Sequence, residues 1–346
     1  MTLKLNSVNA SSDLSNSDSP VLIIGGGVAG MSCALWLKQL GLLPVIIEKN
    51  ASLGGQLQEI DRINRWVLGF QGLTSQELAQ EYSNHIIAEN IPVICDSKIV
   101  AIEKTASCFQ VYVKKNRGNQ SLFSVKGIVI ASGARTIGSE VFSKIPGFNS
   151  LFFAGLIGCF PTDHLDQLES LRDKTVAVIG GGDNAHFTAN DVAKVATQTY
   201  LLMRSQPKSQ IKIRNEVNRL IDQGRIIKYS PVQISEFSQI EGRIELTLRS
   251  LNADFITIPV DRVFVRIGYA ANTEFLLTLD NLKSIKTQTG GYIEIDTERR
   301  TSIESVYAVG DVANLALQSV VTAIADGAIA ARTIAKDIDN HGVCRC

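Results

Sequence analysis

Two cysteines one residue apart, Cys344 and Cys346, are the residues of this 346-residue chain best placed for redox chemistry. Thiols that close can be joined and reopened as a strained, readily reduced disulfide, and Arg345 between them favours the thiolate that attacks other disulfides. The plain alternative is a frayed terminus that happens to carry two cysteines. Cys33, Cys95, Cys108 and Cys159 stand far apart and make no disulfide framework. A second chemistry lies in two glycine runs. Gly25-Gly26-Gly27-Val28-Ala29-Gly30 follows the apolar run VLII and opens a helical stretch, the context in which glycines let a backbone approach a pyrophosphate at a helix N-terminus. Glu48, 18 residues after Gly30 at the end of the next apolar run, is placed to accept hydrogen bonds from a ribose. Gly180-x-Gly182-Asp183-Asn184-Ala185 repeats the device, but Met203, Arg204 and Ser205 stand where an acid would. A second dinucleotide and a loop that has lost its ligand are both open readings.

The elements that must hold these loops are legible in the alternation of strand-like runs (VLIIG at 21, PVIIE at 44, GIVIAS at 127, TVAVIG at 175, TYLLM at 199) with helical stretches, which predicts parallel sheets covered by helices. Between and after the glycine loops, SCFQVYVKK with SLFSVKGIVIA, and VQISEFSQIEGRIELTLRS, read as antiparallel excursions, and a helix is expected from Ser319 to Asp339. The uncharged run from Val21 to Leu37 holds four glycines and reads as strand, loop and helix rather than a membrane span. Composition agrees: 45% hydrophobic and 20% charged exclude disorder, collagen and coiled coil for the bulk of the chain. With 34 basic and 34 acidic residues and no like-charge block, nothing points to nucleic acid. Residues 1–19 are polar and lack the apolar core of a secretory signal, so a disordered leader and a cytoplasmic location are expected. His85, His164, His186 and His341 share no metal-ligand spacing; no metal is expected, and each reads as a surface or capping residue.

From about Val21 to Asp339 the sequence resembles the NADPH-thioredoxin reductase family. Besides the two loops, the resemblance rests on Gly54-Gly55-Gln56-Leu57, on Ala131-Ser132-Gly133-Ala134, on Gly268 with Asn272-Thr273, and on Tyr307-Ala308-Val309-Gly310-Asp311-Val312. It implies an α/β chain of two Rossmann-like dinucleotide-binding domains in three layers (β/β/α), the second inserted into the first. The expected division is an FAD domain from 20–135 and 269–339, an inserted domain at 136–268, and a redox-active tail at 340–346. The resemblance further implies FAD in the first domain, with Asp311 on a ribityl or pyrophosphate hydroxyl and the stretch from Gln318 and Ser319 to Thr322 opening a helix that faces the flavin. Trp66 falls in the family's segment near the flavin ring, where stacking and core packing both account for an aromatic. A homodimer is implied as well.

Two departures redirect the function. The family carries a CxxC disulfide just before the second glycine loop; here the stretch from Phe152 to Lys174 holds only Cys159, with Leu156 and Thr162 where a partner would stand. Its HRRxxxR cluster, whose guanidinium forks match a 2′-phosphate, is reduced to Arg204, with Lys208 as a point charge nearby. A nucleotide pocket without NADPH selectivity and a cysteine pair moved to the tail are similar to the diflavin-linked disulfide oxidoreductase branch. That likeness implies two FAD per chain, with Gly180, Gly182, Asp183, Asn184 and Arg204 at the second, and Cys344 and Cys346 passing electrons from a dithiol protein or small thiol toward the flavins. A membrane acceptor is left open. The alternatives are a reductase fed by NADPH or ferredoxin, and a non-catalytic flavin redox sensor.

Overall fold

The computed structural model describes residues 20–340 apart from 61, 107, 117, 119, 251 and 253, so the leader and the Cys344–Cys346 pair lie outside the described residues. The chain opens with β1 (Val21–Ile24), α1 (Val28–Gln39), β2 (Pro44–Ile47), α2 (Ser75–Ala88) and β3 (Val93–Ile94). It continues through β4 (Ser97–Lys104), β5 (Phe109–Lys115), β6 (Gln120–Val125) and β7 (Gly127–Ile130). After β8 (Ala134–Thr136) come α3 (Gly138–Phe142), α4 (Phe148–Phe153), β9 (Ile157–Gly158), β10 (Thr175–Ile179), α5 (Asp183–Val192), β11 (Gln198–Leu202) and α6 (Ile211–Asp222). The strands β12 (Ile226–Tyr229), β13 (Val232–Ile240), β14 (Arg243–Ser250), β15 (Phe255–Val260) and β16 (Arg262–Val265) follow. The chain then runs through β17 (Tyr269–Ala271) and β18 (Val306–Ala308) to α7 (Val320–Asn340). Two compact units result: the described residues up to Ala134 and from Ala271 on, and Arg135–Ala270.

In the first unit, β18-β7-β1-β2-β3 form a five-stranded parallel sheet. Every residue of β1, β2 and β7 is buried, because both sheet faces are covered. Val21, Ile23, Ile46 and Val129 pack on α1 and α7, while Leu22, Ile24, Val45, Ile47, Ile128 and Ile130 meet Phe109, Val111 and Val113 of the antiparallel sheet β4-β5-β6. The single alternation visible in β5, apolar in and polar out, follows from one face meeting that core. Helix α2 starts at a capping box, Thr74 with Glu77. Helices α1 and α7 cross at Gly327, where a Cβ would stand 2.6 Å from both the Ala29 carbonyl and the Cys33 amide; Ser32 Oγ donates to the Ile324 carbonyl at 2.7 Å beside it.

The second unit repeats the plan with the parallel order β12-β11-β10-β16-β9 and the antiparallel sheet β13-β14-β15. Val178 and Leu201 face Ala185, Ala189 and Val217 of α5 and α6. Ala177, Ile179, Leu202, Val263 and Val265 face Phe237, Leu246 and Leu248. The expected layers and helix are therefore present, with α7 running one residue past Asp339. The expectation for the histidines is corrected here. His164 and His186 are buried, with exposures of 0% and 2%. Each is sheltered because a polar group inside the unit meets it: Asp191 lies 3.3 Å from His164 Nε2, and the Gly182 carbonyl 3.0 Å from His186 Nδ1. His341 lies outside the described residues. Among the described residues, no helix is long and apolar enough to cross a membrane, and no cluster could hold a metal ion.

Candidate nucleotide sites

The two glycine loops are built by the same backbone hydrogen bonds. Gly25 N donates to the Ile47 carbonyl and Gly180 N to the Leu202 carbonyl, each at 2.9 Å; Ala131 N reaches the Ile24 carbonyl at 2.8 Å, as Arg266 N reaches that of Ile179 at 2.7 Å. Gly25 has φ +112° and Gly180 φ +141°, and a Cβ on either would collide with the carbonyl of Ala131 or Arg266. Only glycine fits both positions, which is why the fingerprint begins there. Gly27 and Gly182 are the extended residues before α1 and α5, and nothing stands within 4 Å of a Cβ on Gly182. Their amides lie where a helix N-terminus favours an anion.

The ribose position separates the loops. Glu48 follows β2, is 4% exposed, and accepts hydrogen bonds from Gly26 N at 2.6 Å and Asn50 N at 2.8 Å, one on each oxygen. A carboxylate oxygen has a second lone pair, so both retain capacity for ribose hydroxyls. Met203 follows β11 in the same register and lies 3.6 Å, through Sδ, from a Cβ position on Gly181, the counterpart of Gly26. It is 1% exposed. The second loop thus carries a buried thioether where the first carries a carboxylate. Arg204 and Lys208 beyond it are exposed, and Lys208 N donates to the Gly181 carbonyl at 2.8 Å.

Around the first loop, Gly55 approaches Gly27, 3.1 Å separating a Cβ position on Gly55 from the Gly27 Cα. Gln56 Nε2 donates to the Ala134 carbonyl at 2.7 Å, and Leu57 is buried. Ser132 Oγ donates to the Asn272 carbonyl at 2.7 Å and Asn272 Nδ2 to the Ser132 carbonyl at 2.9 Å, bracing Gly133. Gln318 Nε2 donates to Tyr292 Oη at 3.0 Å, and Ser319 Oγ accepts from Thr322 N at 3.2 Å at the start of α7. Ala29 lies under Gly310, 2.6 Å from a Cβ position there. Asp311 has no hydrogen-bond donor among the described residues, and burial, then the charge of Asp326, pushes its carboxyl up to about 6. An acceptor left without a donor, beside a glycine cradle and a ribose acid, fits a dinucleotide with hydroxyls to donate. In the second unit Asp183 accepts from Gln210 N at 2.7 Å and Gln210 Nε2 at 2.8 Å, and Asn184 Nδ2 donates to Tyr269 Oη at 2.9 Å. These side chains fasten the loop's surroundings. Trp66 is 68% exposed, on a loop whose Phe70 packs edge-on to Tyr82.

Cys159 is 4% exposed; burial, then the charge of Asp163, pushes its thiol up to about 11 against the pull of Arg266. It is a thiol at neutral pH, and nucleophilic exchange needs a thiolate. Burial also raises Cys33, and Cys95 is pushed up to about 11; the four described cysteines are unbridged. Arg266, which sequence reading passed over, ties this segment down. Its guanidinium ion-pairs with Asp163 and donates to Thr188 Oγ1 at 3.2 Å and the Gly158 carbonyl at 3.2 Å. The available signal was an arginine inside Phe264-Val265-Arg266-Ile267.

Two glycine-loop sites in one chain, built by duplicated backbone bonds, agree with what comparison finds: the pyridine nucleotide-disulphide oxidoreductase description matches residues 19–327. The chain belongs to the pyridine nucleotide-disulphide oxidoreductase family. It is a flavin-dependent oxidoreductase of thioredoxin reductase-like fold. A glucosaminate ammonia-lyase of Pseudomonas fluorescens is 26% identical over 328 residues, covering 93% of this chain and 96% of that one. A thioredoxin reductase of Buchnera aphidicola subsp. Acyrthosiphon pisum is 25% identical over 325 residues, with 90% and 95% covered. Among solved structures, T. acidophilum thioredoxin reductase matches with a TM-score of 0.75 at 23% identity, covering 93% and 99%. Relatives named for different reactions share the family's frame, so the reaction of this member has to be argued from its own residues.

Proposed function

We propose that the protein is a disulfide oxidoreductase that holds FAD in both units, works without NADPH, and exchanges electrons with a dithiol protein or small thiol through Cys344 and Cys346, as a homodimer. In the first unit the cofactor would be held by the Gly25–Gly30 loop, Glu48, Gly55 and Asp311. In the second it would lie on Gly180 and Gly182. Bound FAD supplies a two-electron acceptor. The chain's own step is a thiol exchange: a partner dithiol becomes a disulfide while the Cys344–Cys346 disulfide becomes two thiols, two electrons and two protons passing to the tail. Electrons then run from thiol toward flavin.

The open Gly180–Gly182 loop beside the lone Arg204 is the observation that carries the second-flavin reading. Nothing stands within 4 Å of a Cβ on Gly182, so a pyrophosphate has room there, and one arginine, Arg204, stands where the family sets three on a 2′-phosphate; Met203 in the place of Glu48 leaves the ribose of either nucleotide without a carboxylate. The loop keeps its pyrophosphate amides without the arginine set that selects NADPH. Cys159, buried as a thiol, supports assigning the exchange elsewhere. The deciding measurement is the amount of FAD released per chain on denaturing freshly purified protein. About two per chain is expected; one per chain overturns the diflavin reading. Anaerobic dithiols should bleach the flavin band of wild-type protein and leave that of a Cys344→Ser, Cys346→Ser protein intact.

A second reading, reduction by NADPH, is favoured by Arg204 and Lys208, two exposed cations on the segment pinned to Gly181. Rapid bleaching by NADPH, together with one FAD per chain, would establish it.

A further inference from the structure

The turn Gly310–Val312, which carries Asp311, is fastened from behind by a residue that the glycine fingerprint does not contain. Asp326, 3% exposed on α7, accepts from Gly310 N at 3.1 Å through Oδ2, and through Oδ1 meets Arg299 Nε at 2.9 Å and Nη2 at 2.8 Å. Gly310 is at φ +73° and Arg299 at φ +69°, a backbone region that a side-chain-bearing residue adopts only when its surroundings hold it there. Arg299 Nη1 also donates to the Thr297 carbonyl at 2.9 Å, and its own carbonyl accepts from Ala308 N at 3.1 Å, so the guanidinium links the turn before β18 to α7. The first amide of this turn is therefore tied to a buried carboxylate, while its Val312 carbonyl accepts from Ile293 N at 3.0 Å.

We propose that Asp326, acting through Gly310 and its ion pair with Arg299, positions Asp311 for the cofactor and shifts the pH below which the cofactor is released. The proposal rests on the reading that the first unit binds FAD. Asp311 feels the charge of Asp326, with Arg299 on the far side of that carboxylate; Ala29 and Ala323, which crowd Gly310, carry none. A carboxylate without a donor, beside a second carboxylate, is held back from ionising. A ligand hydroxyl that donates to Asp311 favours the ionised form, so the cofactor binds the deprotonated site and is released as the carboxyl is protonated. Burial raises that carboxyl most, the charge of Asp326 adds to it, and Arg299 limits how strongly the added charge is felt.

The test is FAD affinity as a function of pH, read from the fluorescence of released flavin on dilution of wild-type, Asp326→Asn and Arg299→Gln proteins. In the wild type, affinity is expected to fall about tenfold per pH unit below the Asp311 midpoint. The amide of the Asp326→Asn protein still offers an oxygen to Gly310 N but no charge, so D326N should bind FAD with the midpoint displaced to lower pH. In R299Q the unbalanced carboxylate pair holds a proton to higher pH, so the midpoint should move up. Opposite displacements are the signature, since a merely structural role weakens binding equally at every pH. Unmoved midpoints in the folded variants overturn the proposal, and if D326N does not fold, R299Q decides it alone. Wild-type protein that carries no FAD as purified and takes up none when it is added would instead overturn the underlying reading of the first unit.

Discussion

At the scale of single residues, Asp311 carries a cost when no ligand donates to it. Its carboxyl is raised from the ordinary 3.8 to about 6, so in cofactor-free protein its favourable contribution is complete below about pH 4 and is lost as pH rises through about 6. The loss is on the order of 3 kcal/mol by linkage. Asp311→Asn should therefore raise the denaturant midpoint of the cofactor-free protein at neutral pH while weakening FAD retention; a lower midpoint would show that the carboxylate is not strained. Cys159 makes the complementary case. A thiol this buried, beside Asp163, does not exchange, so Cys159→Ser should leave thiol-driven bleaching unchanged at a stability cost of about 1 kcal/mol, checked by urea unfolding. Slower bleaching in that variant would place Cys159 in the exchange.

At the scale of elements, the site depends on the crossing of α1 and α7. Gly27 and Gly30 open α1, Ser319 and Val320 open α7, and the two helices touch where Gly327 meets Ala29 and Cys33. A side chain at Gly327 has backbone on both sides and nowhere to relax, so Gly327→Val should destabilise the fold by about 1–3 kcal/mol and loosen FAD together. Thermal unfolding with and without added FAD checks this, and a variant that unfolds earlier yet binds FAD normally would uncouple the crossing from the cradle. The strands were legible because full burial writes itself as unbroken apolar runs: VLII and GIVI allow no reading with a wet face. His164 and His186 were not, since an imidazole in a sequence shows no sign of the Asp191 or Gly182 oxygen that shelters it. Asp326 was hidden the same way, an acid inside the small-residue face of a helix whose partner, Arg299, lies 27 residues earlier.

At the scale of the whole molecule, α7 limits what the tail cysteines can reach. Its 21 residues span about 31 Å from Val320 to Asn340, whereas the four residues from 341 to Cys344 extend at most about 14 Å. Under the proposed homodimer, a tail thiol of the other chain is the one that would serve the cofactor end of α7. Mixing Cys344→Ser, Cys346→Ser protein with a Gly25→Val protein that has lost the first-unit FAD should restore dithiol-driven bleaching beyond the sum of the two separate rates; additive rates without restoration would place exchange within one chain. What the sequence determined by itself is the duplicated nucleotide-binding plan, because glycines where no Cβ fits, and apolar runs buried on both faces, are local requirements written at fixed spacing. Tertiary structure decided the rest. It alone chose Met203 among Met203, Arg204 and Ser205 as the counterpart of Glu48, buried Cys159 against Asp163, and tied the Asp311 turn to Asp326, since each of these depends on which distant group lies against a residue whose place its neighbours in the chain do not fix.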